Sequence, residues 1–160
     1  MSRLARAVAS VVEDDWPEGS DFERPEVVLS KESVMELLGT SDVVKIEESS
    51  DPTAEPMGFR HTHESVDETA VLQVWTVSRR VDGIKQDGEE RLFGSFDTAA
   101  DAELGGVSGE LRSVLQDRRL GFGPYDSVEV GWPLDNSDMA GKNEYRADIR
   151  VNAYEHARDL

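Results

Sequence analysis

His61 and His63 stand two residues apart in an alternating stretch, which places both rings on one face of an extended chain. Neutral imidazoles so arranged can begin a zinc or copper site, with Glu64, Asp67 or His156 to complete it. Cysteine is absent and no helical H-E-x-x-H accompanies the pair, so the expectation is two polar residues near a strand end and no bound metal. Gly105, Gly106 and Gly109 (LGGVSGE) invite comparison with a phosphate loop. They fit neither GxGxxG nor GxxxxGK[ST], and they lie within a helical stripe rather than between strand and helix. Close packing against a neighbouring element, or a break in the helix near Gly105–Gly106, accounts for them better, because each glycine costs a helix about 1 kcal/mol relative to alanine. Serine, histidine and aspartate all occur without the G-x-S-x-G elbow. Carboxylates are so numerous that pairs arise by chance, and a catalytic pair needs burial that sequence does not reveal. The residues point to no catalytic group, no cofactor and no enzyme.

The balance of charge is the strongest compositional signal. Acidic residues number 34 against 17 basic ones, for a net charge of −17 over 160 residues. The only lysines are Lys31, Lys45, Lys85 and Lys142. Acidic excess with scarce lysine, spread along the chain, resembles proteins of salt-in halophilic archaea. Short carboxylates hold a hydrated surface, and dense salt screens their repulsion, with a Debye length of about 3 Å at 1 M. Such a surface argues against tight nucleic-acid binding, since the Arg79–Arg80 and Arg118–Arg119 pairs are small. Without cysteine there is no disulfide framework and no thiolate chemistry. No apolar run approaches the ~20 residues needed to span a bilayer, and the apolar run after Arg3 and Arg6 ends at Glu13, too short for a signal peptide.

The length suits one domain, read as a helical arm with its linker over 1–25 and an α+β domain over 26–160. Leu4, Val8, Val11 and Val12 form the stripe of an amphipathic first helix ending near Trp16–Pro17. That stripe either packs on its own domain or docks on a neighbouring subunit. Ser30 caps a short helix with Val34, Leu37 and Leu38 on one face. Residues 42–47 and 57–63 alternate as half-buried strands, with a proline-containing loop over 48–56 between them. Residues 69–80 form the strongest strand, apolar on both faces. Turn signals at 81–83 and 87–88 make 79–96 a protruding hairpin or long loop. A long helix follows, capped by Asp97, carrying Leu104, Val107, Leu111, Val114 and Leu115 inward, with Arg118 and Arg119 in its last turn. Val128–Trp132 and Tyr145–Ala153 alternate as closing strands around a polar turn over 134–142, and the last six residues read as a polar tail. Tyr125 and Trp132 read as core or subunit contacts. The expected fold is α+β: a mainly antiparallel sheet covered by one long helix, with an N-terminal helical arm.

The order of elements, with the strand TAVLQVWTVSRR, the helix ending LRSVLQDRR and the final YRADIRVNAY, resembles the tail-terminator and tail-completion proteins at the head–tail junction of tailed viruses. The likeness covers Thr69 to Tyr154, about half the chain, and the family has no invariant catalytic residue to carry over. The resemblance implies a structural virion protein of a haloarchaeal virus, assembled in the host cytoplasm. It implies a homo-oligomeric ring, commonly a hexamer in such proteins, that joins the tail tube protein to the portal and adaptor proteins of the neck. DNA would cross its lumen without specific binding, which an acidic surface favours. Rings need head-to-tail contacts. The loop from Arg79 and Arg80 to Asp87, Glu89 and Glu90, and the arm with Leu4, Val8 and Val11, are the expected contacts, with Asp87, Glu89 and Glu90 facing the lumen or a neighbour. A cellular halophilic protein-binding module and a small metal-dependent enzyme built on His61 and His63 are the competing readings.

Overall fold

The computed structural model describes residues 2–48, 53–57, 63–94, 105–118 and 121–158. Helix α1 (Arg3–Asp15) is capped by Ser2, whose hydroxyl accepts from the Ala5 N–H. Strand β1 (Glu26–Val28), helix α2 (Lys31–Leu37) and strand β2 (Val43–Glu48) follow, with Ser30 capping α2 as its position predicts. Next come β3 (Thr53–Met57), β4 (His63–Val77), the hairpin β5 (Arg79–Val81) and β6 (Ile84–Gln86), and helices α3 (Gly88–Phe93) and α4 (Gly106–Gln116). The chain closes with β7 (Ser127–Val130), β8 (Leu134–Asp135), a 3-10 turn over Ser137–Met139, and β9 (Glu144–Arg158).

Seven strands form the main sheet in the order β1-β2-β4-β9-β7, with β3 beside β4 and β8 beside β9; β5 and β6 form a second, two-stranded sheet. The sheet is mixed. β1 runs parallel to β2, from Glu26 opposite Val43 to Val28 opposite Lys45, with α2 as the crossover that a parallel pair requires. β4 and β9 pair over their full 15 residues, from His63 opposite Arg158 to Val77 opposite Glu144, and form the spine.

The expected single covering helix is not found. Four short helices are described instead, of 13, 7, 6 and 11 residues. Geometry gives the reason. An 11-residue helix is about 16 Å long, whereas 15-residue strands run about 50 Å at ~3.3 Å per residue. The face carrying Val44, Ile46, Ala70, Leu72, Val74, Ala147, Ile149 and Val151 is therefore tiled by α1, α3 and α4 together. The opposite face is covered at one end by α2, where Val34, Leu38, Val43 and Trp75 make a second small core. The first helix is no detached arm: Leu4, Ala5, Val8, Val11 and Val12 are all buried in the main core, with Trp16 and Phe22 packed against it.

Several boundaries moved. β3 (Thr53–Met57) takes the last four residues of the expected loop over 48–56. It includes Pro56, which an outer strand tolerates because its missing N–H need not face a ladder partner. β9 continues through the expected tail to Arg158. The turn of the 79–86 hairpin is Asp82–Gly83, both at positive φ, while Asp87 caps α3 by accepting from the Glu89 N–H. Asp97, Leu104 and Arg119 lie outside the described residues; the described helix α4 begins at Gly106.

Gly106 explains the glycine-rich run. Its φ is +73°, and a Cβ there would lie 2.4 Å from the Leu92 carbonyl carbon. The start of α4 thus rests directly on the α3 backbone, and Ser108 Oγ donates to the Leu92 carbonyl at 2.6 Å. Close packing is therefore present at Gly106, whereas spacing alone points to the helix face shared by Gly105 and Gly109.

Candidate interaction surfaces

A cluster of buried polar groups holds the projecting hairpin in place. Asp42 lies just before β2, at 4% side-chain exposure, and faces Arg91 from α3, at 9%. Arg91 Nη2 donates to Asp42 Oδ2 at 2.6 Å and Nη1 to Gln86 Oε1 at 2.5 Å. Thr76 Oγ1 donates to Asp42 Oδ1 at 2.5 Å. Arg79 Nε lies 3.5 Å from the same oxygen, an ion-pair distance without a hydrogen bond. Its Nη atoms donate to the Gly39 carbonyl at 3.0 Å and the Leu38 carbonyl at 2.6 Å. Six separate segments meet there, so the base of the β5–β6 hairpin is tied to the sheet, to α3 and to the end of α2. The carboxylate is satisfied on both oxygens, as a buried charge must be. Sequence reasoning passed over this cluster because Asp42 is one acid among 34 and its partner Arg91 lies 49 residues away.

Beyond that base the hairpin is open to solvent. Arg80, Val81, Ile84 and Lys85 are exposed. Asp87, Glu89 and Glu90 are exposed in the first turn of α3, where negative charge suits the helix dipole. The expected loop contacts therefore divide. Arg80, Asp87, Glu89 and Glu90 stand at the surface, while Arg79 is largely spent inside. Leu4, Val8 and Val11 are used by the chain's own core, since an amphipathic stripe buried on its own sheet has no apolar face left for a neighbour.

A second exposed apolar set lies along the β7–β8 margin of the sheet: Trp132, Leu134 and Met139. The Arg112 guanidinium sits 3.6 Å from the centroid of the Trp132 ring, and its Nε donates to the Gly131 carbonyl at 3.2 Å. Tyr125, in contrast, is core. Its ring meets Phe122 edge-on at 6.2 Å, and its hydroxyl donates to the Glu68 carboxylate. Burial first, and then the adjacent Glu68 charge, push the Tyr125 phenol above the ordinary tyrosine range. Arg3 bridges Glu68 and Glu155 at 3.3 and 2.5 Å, fastening the start of α1 to β4 and β9.

The uncovered part of the second sheet face is a polar lattice. Trp75 Nε1 donates to Gln73 Oε1 at 3.2 Å, and Gln73 Nε2 to Glu47 Oε1 at 3.0 Å. Arg146 grips Asp148 with two hydrogen bonds, of 2.8 and 2.9 Å. The hydrogen bond from Lys45 holds Glu47 below the usual carboxylate range. Of these only the Gln73–Glu47 bond crosses from one strand to the next; the others tie residues two apart on one strand, so the polar groups are partnered with each other.

Among the described residues no group of three or more His, Asp or Glu could hold a metal ion. His61 lies outside the described residues, as do the side chains of His63, Glu64, Asp67 and His156. No helix among the described residues is long and apolar enough to cross a membrane. No family model matches the chain, and no curated protein matches it either.

Proposed function

We propose that this chain is a structural ring subunit of a tailed virus infecting a salt-loaded host. Its place would be the head–tail junction, joining the tail tube to the neck proteins while DNA passes through. One observation carries this reading. The buried polar groups are spent on fastening elements to one another, while five of the seven large exposed apolar side chains of the described residues lie on a projecting hairpin and a sheet margin, with Leu29 and Met35 beside and on α2. Parts that assemble have that distribution, because exposed apolar surface is stabilised only when a partner covers it. The acidic first turn of α3 lies beside the hairpin and suits a lumen that must repel phosphate. The net charge of −17, which suits a molar-salt cytoplasm, supports the same reading.

Negative-stain images of the full chain in molar KCl test it. Annular particles with an open centre wide enough for duplex DNA are expected. Images showing only single protomers would favour a cellular halophilic binding module instead.

A further inference from the structure

A sheet stays within one chain only where its outermost strands are kept from pairing with another chain's. Among the described residues, β1, β3, β7 and β8 each have a strand on one side alone. Proline blunts three of them. Pro25 immediately precedes β1, Pro56 lies within β3, and Pro133 immediately precedes β8. Proline has no N–H to offer a ladder, and β1 and β8 are only three and two residues long. β7 has four residues and no proline in it or next to it. Just after it, the Gly131 N–H donates inward to the Arg150 carbonyl of β9 at 2.8 Å. Antiparallel bonds alternate along a strand, so in this register the N–H and C=O of Val128 and Val130 turn outward.

Arg112 of α4 stands at that edge. Its Nη2 donates to the outward Val130 carbonyl at 3.5 Å and its Nε to the Gly131 carbonyl at 3.2 Å, while its guanidinium lies 3.6 Å from the Trp132 ring centroid. We propose that Arg112, clasped on Trp132, closes the β7 edge to strand pairing, the task that proline performs at the other three. An incoming strand must offer an N–H to the Val130 carbonyl, where the guanidinium already sits. A guanidinium suits the place because its planar fork reaches two carbonyls while its face stacks on the indole; an ammonium cannot do both. Glu129 adds a second obstacle. When two β7 edges meet antiparallel with Val128 opposite Val130, the two Glu129 side chains fall directly opposite, and like charges so placed repel. Molar salt screens that repulsion beyond about 3 Å, which leaves the edge to Arg112. The device is independent of the ring reading: it names an edge through which copies do not join.

Arg112→Ala and Trp132→Ala test it, one from each side of the stack. Arg112 is half-buried on a helix and Trp132 is 55% exposed, so both variants keep an unfolding midpoint near that of the wild type. In sedimentation runs in molar KCl, Arg112→Ala forms a species larger than any of the wild type at the same concentration. Its association is about 10- to 100-fold stronger, the worth of one or two backbone hydrogen bonds whose acceptors have been freed. Trp132→Ala moves the same way by less. In both variants residue-resolved amide exchange at Val128 and Val130 slows as concentration rises, and in the wild type it does not. Variants that sediment like the wild type, or new association that leaves those two amides unchanged, overturn the proposal. Should Arg112→Ala fail to fold, Trp132→Ala decides by the same two readings. A monomeric and a ring-forming wild type serve equally as the baseline, so failure of the ring reading leaves this test intact.

Discussion

Replacing Asp42 with alanine is expected to lower the unfolding free energy by about 3–5 kcal/mol, the cost of removing one partner from a buried ion pair. The size follows from what remains. Arg91 keeps its buried place with its carboxylate gone, and its bonds to Gln86 and Thr76 leave the positive charge uncompensated. Thr76 loses its hydrogen-bond acceptor and Arg79 its ion-pair partner. Combining Asp42→Ala with Arg91→Met should recover a large part of the loss, since the orphaned charge, more than the missing attraction, is what destabilises. Denaturant titration in molar KCl measures both. A single-variant loss below about 1 kcal/mol, the range of an exposed ion pair, would mean that this cluster is solvated and does not anchor the hairpin.

Gly106→Ala should be comparably severe, at about 2–5 kcal/mol. A side chain at positive φ costs about 1–2 kcal/mol, and overpacking adds about 1–3 kcal/mol. The contact cannot be relieved by turning a side chain, because the obstructing atoms are the Leu92 carbonyl and the Phe93 nitrogen. Gly39→Ala is the control: a Cβ there meets nothing within 4 Å, and its φ is not in the left-handed region. Thermal unfolding of the two variants side by side checks the prediction. Equal midpoints would show that α4 does not rest on α3 as closely as described.

The residues that advertised their structure did so through period. Tyr145 to Ala153 alternates, and Ala147, Ile149, Val151 and Ala153 do face the core. The Leu4–Val12 stripe is a helix face, Ser30 is a cap, and 79–86 is a hairpin. What local pattern could not convey was partnership. Leu4, Val8 and Val11 have the same stripe whether they cover their own sheet or a neighbour's, and only the packed structure decides between these. The mixed character of the sheet depends on β1, three residues long and too short to show its direction. Helix α3 escaped notice because GEERLF offers a single turn and a half, with little room for period. The Asp42–Arg91 pair and the α3–α4 contact at Gly106 link residues 49 and 14 positions apart, beyond the reach of any local window.

The proposed ring requires that the chain associate with copies of itself through its exposed apolar side chains. Sedimentation velocity of the unmodified chain in molar KCl, across a rising concentration series, reads this most directly. Head-to-tail assembly that closes predicts a monomer boundary giving way to one discrete larger species that stops growing as concentration increases. A single monomer boundary at every concentration contradicts it.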